Sequence, residues 1–244
     1  MVKMLFAARY FLFILLHREY TKSLMSTLKT IEYALGNTPT HTVICMHGLG
    51  ASANDLRPLA QTLQLPHVRF VFPQAPNVPV TINNGHPMPA WYDVRSMDFG
   101  SAIRSDHTGV DASCEAIKIL LANEQAKFGI KPENIFLMGF SQGGSIALEL
   151  GLHYSHSFAG IIGLSTLPAK GVKTFEHLSP ESYTTPIFLA HGSRDHVVPF
   201  IVGERIRDEL QKKHYQVEWC TAPMEHTIWP EEMVTLKQWF TKLL

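Results

Sequence analysis

Short apolar runs alternate with longer amphipathic stretches from residue 42 to the C-terminus. Several of the runs are apolar at every position, as strands buried on both faces of a parallel sheet are. Between them, apolar residues recur at spacings of three and four, which is the helical pattern. The predicted strands are Thr42–Met46, Val68–Phe72, Ile135–Phe140, Phe158–Leu164, Ile187–His191 and Gln216–Thr221, and the predicted helices cover residues 54–64, 107–128, 142–155, 200–213 and 230–243.

This alternation of strand and helix predicts an α/β fold: a mostly parallel central sheet covered by helices on both faces. No repeat, low-complexity tract or linker interrupts the pattern, so residues 25–244 are predicted to form a single domain. In such sheets the chemistry lies at the carboxyl ends of the strands. Candidate functional residues are therefore sought in the loops that follow strands.

The first 24 residues do not share the alternating pattern. Residues 4–16 form an apolar run of 13 positions, interrupted by Arg9, and the run is shorter than the roughly 20 residues that span a bilayer. No small-x-small cleavage site follows it, which disfavours a signal peptide. We expect translation to start at Met25, with residues 1–24 a misassigned extension. Membrane association through residues 4–16 is the second reading, and secretion is the third.

Composition and charge exclude several classes of protein. Of the 244 residues, 45% are hydrophobic and 17% are charged, which excludes a disordered chain. Lys+Arg 21 balances Asp+Glu 21, with 4 − 1 = +3 in residues 1–24 and 17 − 20 = −3 in the remainder. A neutral total gives no basic surface for nucleic acid, so no nucleic-acid partner is expected. Contact with a membrane is expected only through residues 4–16, and a homodimer is left open.

The cysteines bear on the compartment. Cys45, Cys114 and Cys220 are an odd, sparse set without a C-x-x-C pair. They fit neither a disulfide framework nor a cysteine zinc site, and a reducing, cytoplasmic location is expected.

The loop after the third core strand carries the strongest motif. Residues 139–143 read GFSQG, which matches G-x-S-x-G directly between a predicted strand and a predicted helix. In this context the glycines permit a sharp turn that leaves the serine exposed at the start of the helix. Ser141 is therefore the candidate nucleophile, with the backbone N–H of Gln142 as a candidate oxyanion donor. The alternative is a small-residue turn that merely packs a helix on the sheet.

A serine nucleophile needs a base, and the base needs a carboxylate that orients it. The strand Ile187–His191 leads into a loop that contains Asp195, and the strand Gln216–Thr221 leads into a loop that contains His226. Both positions follow strand ends in the order serine, acid, histidine. Asp195 and His226 are therefore the candidate acid and base; the alternatives are a turn aspartate and a surface histidine.

A second oxyanion donor is expected from an early loop. His47-Gly48-Leu49-Gly50 follows the first predicted strand, and its glycines allow the Leu49 N–H to approach the serine. Gly48-x-Gly50-x-x-Ala53 also imitates a dinucleotide-binding fingerprint. That reading requires an acid at the end of the next strand, where the chain instead reads Phe72-Pro73-Gln74.

Neither metal nor cofactor is predicted. The 13 histidines include no H-x-x-x-H or H-E-x-x-H spacing, and no Cys/His ligand set or phosphate-binding loop occurs. We therefore expect catalysis without a cofactor.

The motifs together resemble a known family. They are HGLG at 47–50, FPQAPNVPVT at 72–81, PAWYD at 89–93, GFSQGG at 139–144, HGSRDHVVP at 191–199 and MEHTIWPEE at 224–232. In order and spacing they resemble the bacterial carboxylesterase branch of the phospholipase/carboxylesterase family, which includes acyl-protein thioesterases and lysophospholipases of the α/β-hydrolase fold. The resemblance implies Ser141, Asp195 and His226 as the triad and Leu49 and Gln142 as backbone oxyanion donors. Members commonly carry HGLGD and MGH, where this chain has Ala51 and Glu225.

The expected activity is hydrolysis of carboxylic esters with short to medium acyl chains, the substrate being a small ester or a lipid. The proline-rich stretch Pro73–Trp91 is predicted to flank the site, with Val80, Met88 and Trp91 lining the acyl groove; core packing is the alternative for Trp91. In similar enzymes a segment near Leu167 to Phe175 also borders the groove. The alternatives are a lysophospholipase or an acyl-protein thioesterase and, in a different class, a ligand-binding protein of this fold that does not turn its ligand over.

Overall fold

The computed structural model describes residues 28–96 and 106–244. The described residues form nine strands and five α-helices. The strands are β1 (Thr30–Ala34), β2 (His41–Met46), β3 (Val68–Pro73), β4 (Asn77–Val80), β5 (His86–Pro89), β6 (Ile135–Phe140), β7 (Gly160–Leu164), β8 (Ile187–Gly192) and β9 (Val217–Ala222). The helices are α1 (Arg57–Leu63), α2 (His107–Phe128), α3 (Gln142–His153), α4 (Phe200–Lys212) and α5 (Pro230–Leu243). Residues 1–24, including the apolar run at 4–16, lie outside the described residues.

Seven strands form one sheet in the order β1-β3-β2-β6-β7-β8-β9. The six strands from β3 to β9 in that order run parallel, and β1 pairs antiparallel with β3. The mostly parallel sheet confirms the predicted α/β fold.

Helices cover both faces of the sheet because its central strands are apolar on both sides. On β2, Ile44 and Met46 face a core that includes α2, α3 and α4. The alternate residues Val43 and Cys45 face a second core that includes α1 and α5. With side chains pointing to opposite faces at every second position, a strand between two helical layers must be apolar throughout.

The predicted bounds agree closely with the structure for the parallel strands and for the helices. Three strands were not predicted: the edge strand β1, and the two strands of the β4–β5 hairpin, which pair only with each other. The hairpin lies within the proline-rich stretch, and the Thr81–Asn83 turn follows β4. Among the described residues, no helix combines the length and the apolar character needed to cross a membrane.

Candidate active site

Ser141 stands at a tight turn between β6 and α3. Its backbone lies in a left-handed region, with φ +52° and ψ −119°, a conformation that non-glycine residues adopt rarely. A Cβ at Gly139 would lie 2.2 Å from the carbonyl carbon of Gly143, and a Cβ at Gly143 would lie 2.1 Å from the oxygen of Met46. Both positions therefore require glycine. The turn places the serine side chain at the carboxyl edge of the sheet.

The loops after β8 and β9 bring Asp195 and His226 together. Nδ1 of His226 lies 2.7 Å from Oδ2 of Asp195, whose side chain is fully buried. Oδ1 of Asp195 accepts hydrogen bonds from the backbone N–H groups of Val197, at 2.9 Å, and Val198, at 2.8 Å. Because a carboxylate oxygen accepts hydrogen bonds, Nδ1 of His226 is the donor in this contact, and in the neutral ring Nε2 then keeps its lone pair. This is the tautomer that a general base requires.

A second histidine braces the loop that carries the acid. Nε2 of His191 donates to the oxygen of Val198 at 2.9 Å and lies 3.4 Å from Oδ2 of Asp195. Burial lowers the pKa of His191, so the ring is neutral. The acid and base loops also contact each other, since the N–H of Arg194 donates to the oxygen of Met224 at 3.0 Å. Sequence reasoning did not anticipate a role for His191, although it ends the strand four residues before the acid.

Ser141 and His226 line the same cavity, which has a volume of about 240 Å³. The rings of Phe140 and His226 are in contact, with centroids 4.8 Å apart. Most of the other lining residues are apolar, so the cavity suits an acyl chain. The full lining is Gly48, Leu49, Ala51, Tyr92, Val94, Phe140, Ser141, Gln142, Leu167, Val197, Val198 and His226.

Both candidate oxyanion donors border this cavity. Gln142 is the first residue of α3, where backbone N–H groups have no partner within the helix. A Cβ at Gly48 would lie 3.5 Å from Cβ of Ser141, so the loop between β2 and α1 approaches the serine closely. Leu49 follows directly in that loop. The arrangement can present two N–H groups to one carbonyl oxygen.

Hydrogen bonds from buried side chains fix the loop that carries Leu49. Nδ1 of His47 donates to the oxygen of Gly48 at 2.8 Å, and its Nε2 accepts from the N–H of Ala75 at 3.1 Å. Burial lowers the pKa of His47, which agrees with a neutral ring that donates at one nitrogen and accepts at the other. His47 therefore holds the turn rather than taking part in proton transfer.

Trp91 connects the two oxyanion loops. Its indole N–H donates to the oxygen of His47 at 2.8 Å, and its backbone N–H donates to Oε1 of Gln142 at 2.9 Å. Nε2 of Gln142 donates in turn to the oxygen of Tyr92 at 2.8 Å. One buried tryptophan thus binds both the β2–α1 loop, which carries Leu49, and Gln142 at the start of α3.

The predicted acyl-groove residues need correction. Trp91 and Val80 are fully buried and do not line the cavity. The indole N–H of Trp91 donates to a backbone oxygen in the interior. Val80 packs with Val78 and Ala90. Met88 is half-buried next to Gly50 but outside the lining. The sequence analysis did not predict that Val197 and Val198 line the cavity, although both belong to the HGSRDHVVP motif. Leu167 was included there only as the first residue of the segment near Leu167 to Phe175.

The part of the chain that the structure describes contains no group of three or more His, Cys, Asp or Glu side chains arranged to hold a metal ion.

The fold is that of an α/β hydrolase. The sequence model of the Phospholipase/Carboxylesterase family matches residues 31–244. The chain is 39% identical to acyl-protein thioesterase 1 of Mycosarcoma maydis over 238 residues, which cover 90% of this chain and 99% of the relative. It is 36% identical to a protein of Oryza sativa subsp. japonica named "Probable carboxylesterase", over 81% of this chain and 75% of the relative.

Solved structures agree with the sequence comparisons. SOBER1 of Arabidopsis thaliana superposes with a TM-score of 0.77 at 29% identity, covering 83% of this chain and 98% of that protein. Acyl-protein thioesterase 2 of Zea mays gives a TM-score of 0.76 at 27% identity, covering 88% and 98%. This chain belongs to the phospholipase/carboxylesterase family of α/β hydrolases, and it is a hydrolase that acts on esters.

Proposed function

We propose that the protein cleaves acyl esters through a Ser141–His226–Asp195 triad and a covalent acyl-enzyme. The observation that carries the proposal is the 2.7 Å bond between His226 and the buried carboxylate of Asp195, in a loop that shares a cavity with Ser141. A binding protein would have no use for a histidine held in the basic tautomer beside a strained serine.

The reaction follows from these positions. Nε2 of His226 takes the hydroxyl proton of Ser141 as Oγ forms a bond to the acyl carbonyl carbon, and the backbone N–H groups of Leu49 and Gln142 bind the resulting oxyanion. Collapse of the tetrahedral intermediate breaks the bond to the alcohol or thiol, which receives the proton from His226. Water then attacks the acyl-enzyme, giving its proton to His226, and the carboxylic acid leaves as Ser141 is regenerated.

Short- to medium-chain esters are the proposed substrates, since the cavity is apolar and small. Acyl thioesters are the second candidate, and they are favoured by the relatives named acyl-protein thioesterase 1, of which one shares 39% identity over nearly the whole chain. The same acyl-enzyme chemistry serves both, because only the leaving group differs. A lysophospholipid would add a headgroup outside the cavity.

We also propose a cytoplasmic location and residues 25–244 as the catalytic domain. The location is supported by the thiols of Cys45, Cys114 and Cys220, which are all free. The domain proposal is supported by the family match, which begins at residue 31.

The test is hydrolysis of p-nitrophenyl butyrate by the purified protein and by Ser141→Ala. We expect the native protein to turn over the ester and Ser141→Ala to lose activity by several orders of magnitude, while Ser155→Ala, an exposed serine just beyond α3, stays native. No hydrolysis, or hydrolysis unchanged in Ser141→Ala, would favour the ligand-binding alternative. Comparing kcat/KM for an ester and a thioester of the same acyl group then separates the two substrate classes.

A further inference from the structure

The segment of residues 165–177, called the wall below, contributes residues to the lining of two cavities. On one side Leu167 lines the active-site cavity. On the other side Lys170 and Lys173 line a larger cavity of about 590 Å³, whose other lining residues come from α2, α3 and the end of the segment. The lining of this second cavity includes charged side chains, while Leu167, Ala169 and Phe175 of the segment pack into the main core. Polar contacts of Lys170 and Thr174 add to this apolar packing in the middle of the segment.

Both ends of the wall are anchored to the fold. The hydroxyl of Thr166 donates to the oxygen of Ser141 at 2.8 Å. Phe175 is buried in the core, and the N–H of Ser179 donates to the oxygen of Leu152 at 2.9 Å. The segment is thus held next to the nucleophile at one end and against the far end of α3 at the other.

The middle of the wall is fixed by Glu149, a buried carboxylate on α3. Its Oε1 lies 2.9 Å from Nζ of Lys170, and its Oε2 accepts from the hydroxyl of Thr174 at 2.9 Å. Thr174 also accepts from the backbone N–H of Lys170 at 2.9 Å. Lys170 and Thr174 stand on the wall itself, so Glu149 ties the wall to the nucleophile helix at two points.

The ion pair is partly shielded from solvent. The side chain of Glu149 is 6% exposed and that of Lys170 is 19% exposed, whereas the second partner of Lys170, Asp111, is 65% exposed. Burial by itself would lower the pKa of Lys170, but the hydrogen bonds and charges of Asp111 and Glu149 outweigh it and raise that pKa. A buried pair of this kind interacts more strongly than an exposed one, and breaking it leaves a buried charge without its partner.

We propose that Lys170 and Glu149 are specificity-determining positioning residues that limit the length of the acyl chain by holding Leu167 in the cavity wall. The inference rests on the proposed acyl-ester hydrolysis. The cavity has a volume of only about 240 Å³, and Leu167 is part of its wall, so the position of Leu167 affects how much acyl chain the cavity accepts. If the wall loosens, Leu167 can move away from the cavity and leave more space for the acyl chain.

The experiment compares kcat/KM for p-nitrophenyl esters with C4, C8 and C12 acyl groups. We expect the native enzyme to prefer C4 and C8. In Lys170→Met and in the double variant Lys170→Met/Glu149→Gln, which leaves no buried charge unpaired, the C12 to C4 ratio should rise at least about tenfold, mainly through a lower KM for C12. Lys170→Arg should keep the native ratio. Lys173→Met is the matched control, because Lys173 is an exposed lysine of the same wall that lines the same outer cavity.

The variant Thr174→Val tests the same positioning role without leaving a charged side chain unpaired. It removes one bond between the wall and Glu149 and should shift the ratio in the same direction by a smaller factor, with a cooperative thermal transition showing that it folds. If the native enzyme hydrolyses none of the esters, the proposed function fails. If it hydrolyses them but every folded variant, Thr174→Val included, keeps the native C12 to C4 ratio, the positioning role of the ion pair is overturned.

Discussion

The two oxygens of Asp195 face different partners, and this difference determines which ring nitrogen of His226 donates to the acid. Oδ1 accepts from two backbone N–H groups, those of Val197 and Val198, while Oδ2 receives only side-chain donors, foremost Nδ1 of His226. Any replacement must still place an acceptor at Oδ1, since two donors converge there. The two backbone N–H groups therefore determine which atom of a replacement side chain faces His226 in place of Oδ2.

Asp195→Asn should turn His226 into the wrong tautomer. The asparagine oxygen must take the Oδ1 position, which places its NH₂ group opposite Nδ1 of His226 and moves the histidine proton to Nε2. We expect kcat for p-nitrophenyl butyrate to fall roughly 10⁴-fold, as the same change does in the chymotrypsin-type triad, with little change in Tm. Asp208→Asn, at an exposed aspartate on α4, is the control. A loss of less than tenfold would contradict the assigned role.

Glu232 is a buried carboxyl group in the first turn of α5. Oε2 accepts from the backbone N–H of Trp229 at 3.4 Å, whereas Oε1 has no hydrogen-bond partner among the described residues. Burial raises the pKa of Glu232 to about 8, against which the Trp229 N–H acts in the lowering direction. The group is therefore protonated in the folded protein at neutral pH.

This pKa makes folding stability depend on pH. From about pH 4.5 to about pH 8, the folded state binds one proton more than the unfolded state, so raising the pH lowers the free energy of unfolding, by the order of a few kcal/mol in total. Glu232→Gln removes the titrating group, and its stability curve should be flatter across this window. Glu231→Gln, exposed in the same helical turn, should keep the native slope. Denaturant unfolding at several pH values measures both, and parallel curves for native and Glu232→Gln would contradict the assignment.

At the scale of elements, we expect Trp91, in the loop after the β4–β5 hairpin, to support catalysis by positioning other residues rather than by contact with substrate. The tryptophan connects the β2–α1 loop to the start of α3, which carry the two proposed oxyanion donors. Misplacing a donor by a fraction of an ångström weakens a bond made only in the transition state. We therefore expect Trp91 to affect kcat more than KM.

Trp91→Phe should therefore lower kcat about ten- to a hundredfold with a small change in KM, because the indole bond to His47 is lost while the ring remains. Trp239→Phe is the matched control: Trp239 is also buried, but it packs with Phe136 and Phe240 on the other face of the sheet. That variant should lose thermal stability and keep its kcat. Steady-state kinetics and thermal unfolding of both variants distinguish the outcomes, and equal kinetics in the two would refute the positioning role of Trp91.

The elements that could be predicted from sequence are those whose burial is uniform. Strands β2, β3, β6 and β8 are apolar at nearly every position because both faces are covered, and the 107–128 helix carries a regular three-and-four spacing. The site followed from the same reasoning, since strand ends locate Ser141, Asp195 and His226. What could not be predicted was which neighbouring side chains reach the cavity.

The missed strands lack that uniform burial. Strand β1 reads TIEYA and alternates between half-buried and exposed positions, as an edge strand does. In the β4–β5 hairpin, Pro79 pairs with Pro87 and Asn77 with Pro89, and prolines in a run argue against a strand because they lack the N–H of a ladder bond. Prolines are accommodated in this hairpin because both of its strands are edge strands, each with one side that forms no ladder bonds. The sequence neighbours of Trp91 indicate a loop beside the groove, but they do not show its hydrogen-bond partners, which are buried residues.

At the scale of the whole molecule, an ionic network ties the edge strand β1 to the rest of the domain. Arg69 on β3 lies 2.7 Å from Glu32 on β1 and 3.2 Å from Glu124 on α2, and Thr42 on β2 donates to Glu124 at 2.8 Å. The arginine and Glu124 are largely buried, so removing Glu32 leaves a partly unpaired buried cluster. Strand β1 also covers the N–H and carbonyl groups of β3 along one side.

Two truncations test where the domain starts. A chain starting at Met25 retains Leu28, which is buried in the main core, and all of β1, so we expect its Tm and its kcat/KM for p-nitrophenyl butyrate to match those of the full chain. A chain starting at Asn37 loses Leu28 and β1, unpairs Arg69 from Glu32 and exposes the edge of β3. We expect its Tm to fall by several degrees or more, since a loss of about 1 kcal/mol already shifts Tm by about 2–4 °C in a protein of this size, and aggregation to increase. If the chain starting at Met25 is as impaired as the shorter one, residues 1–24 contribute to the folded domain and the proposed boundary is wrong.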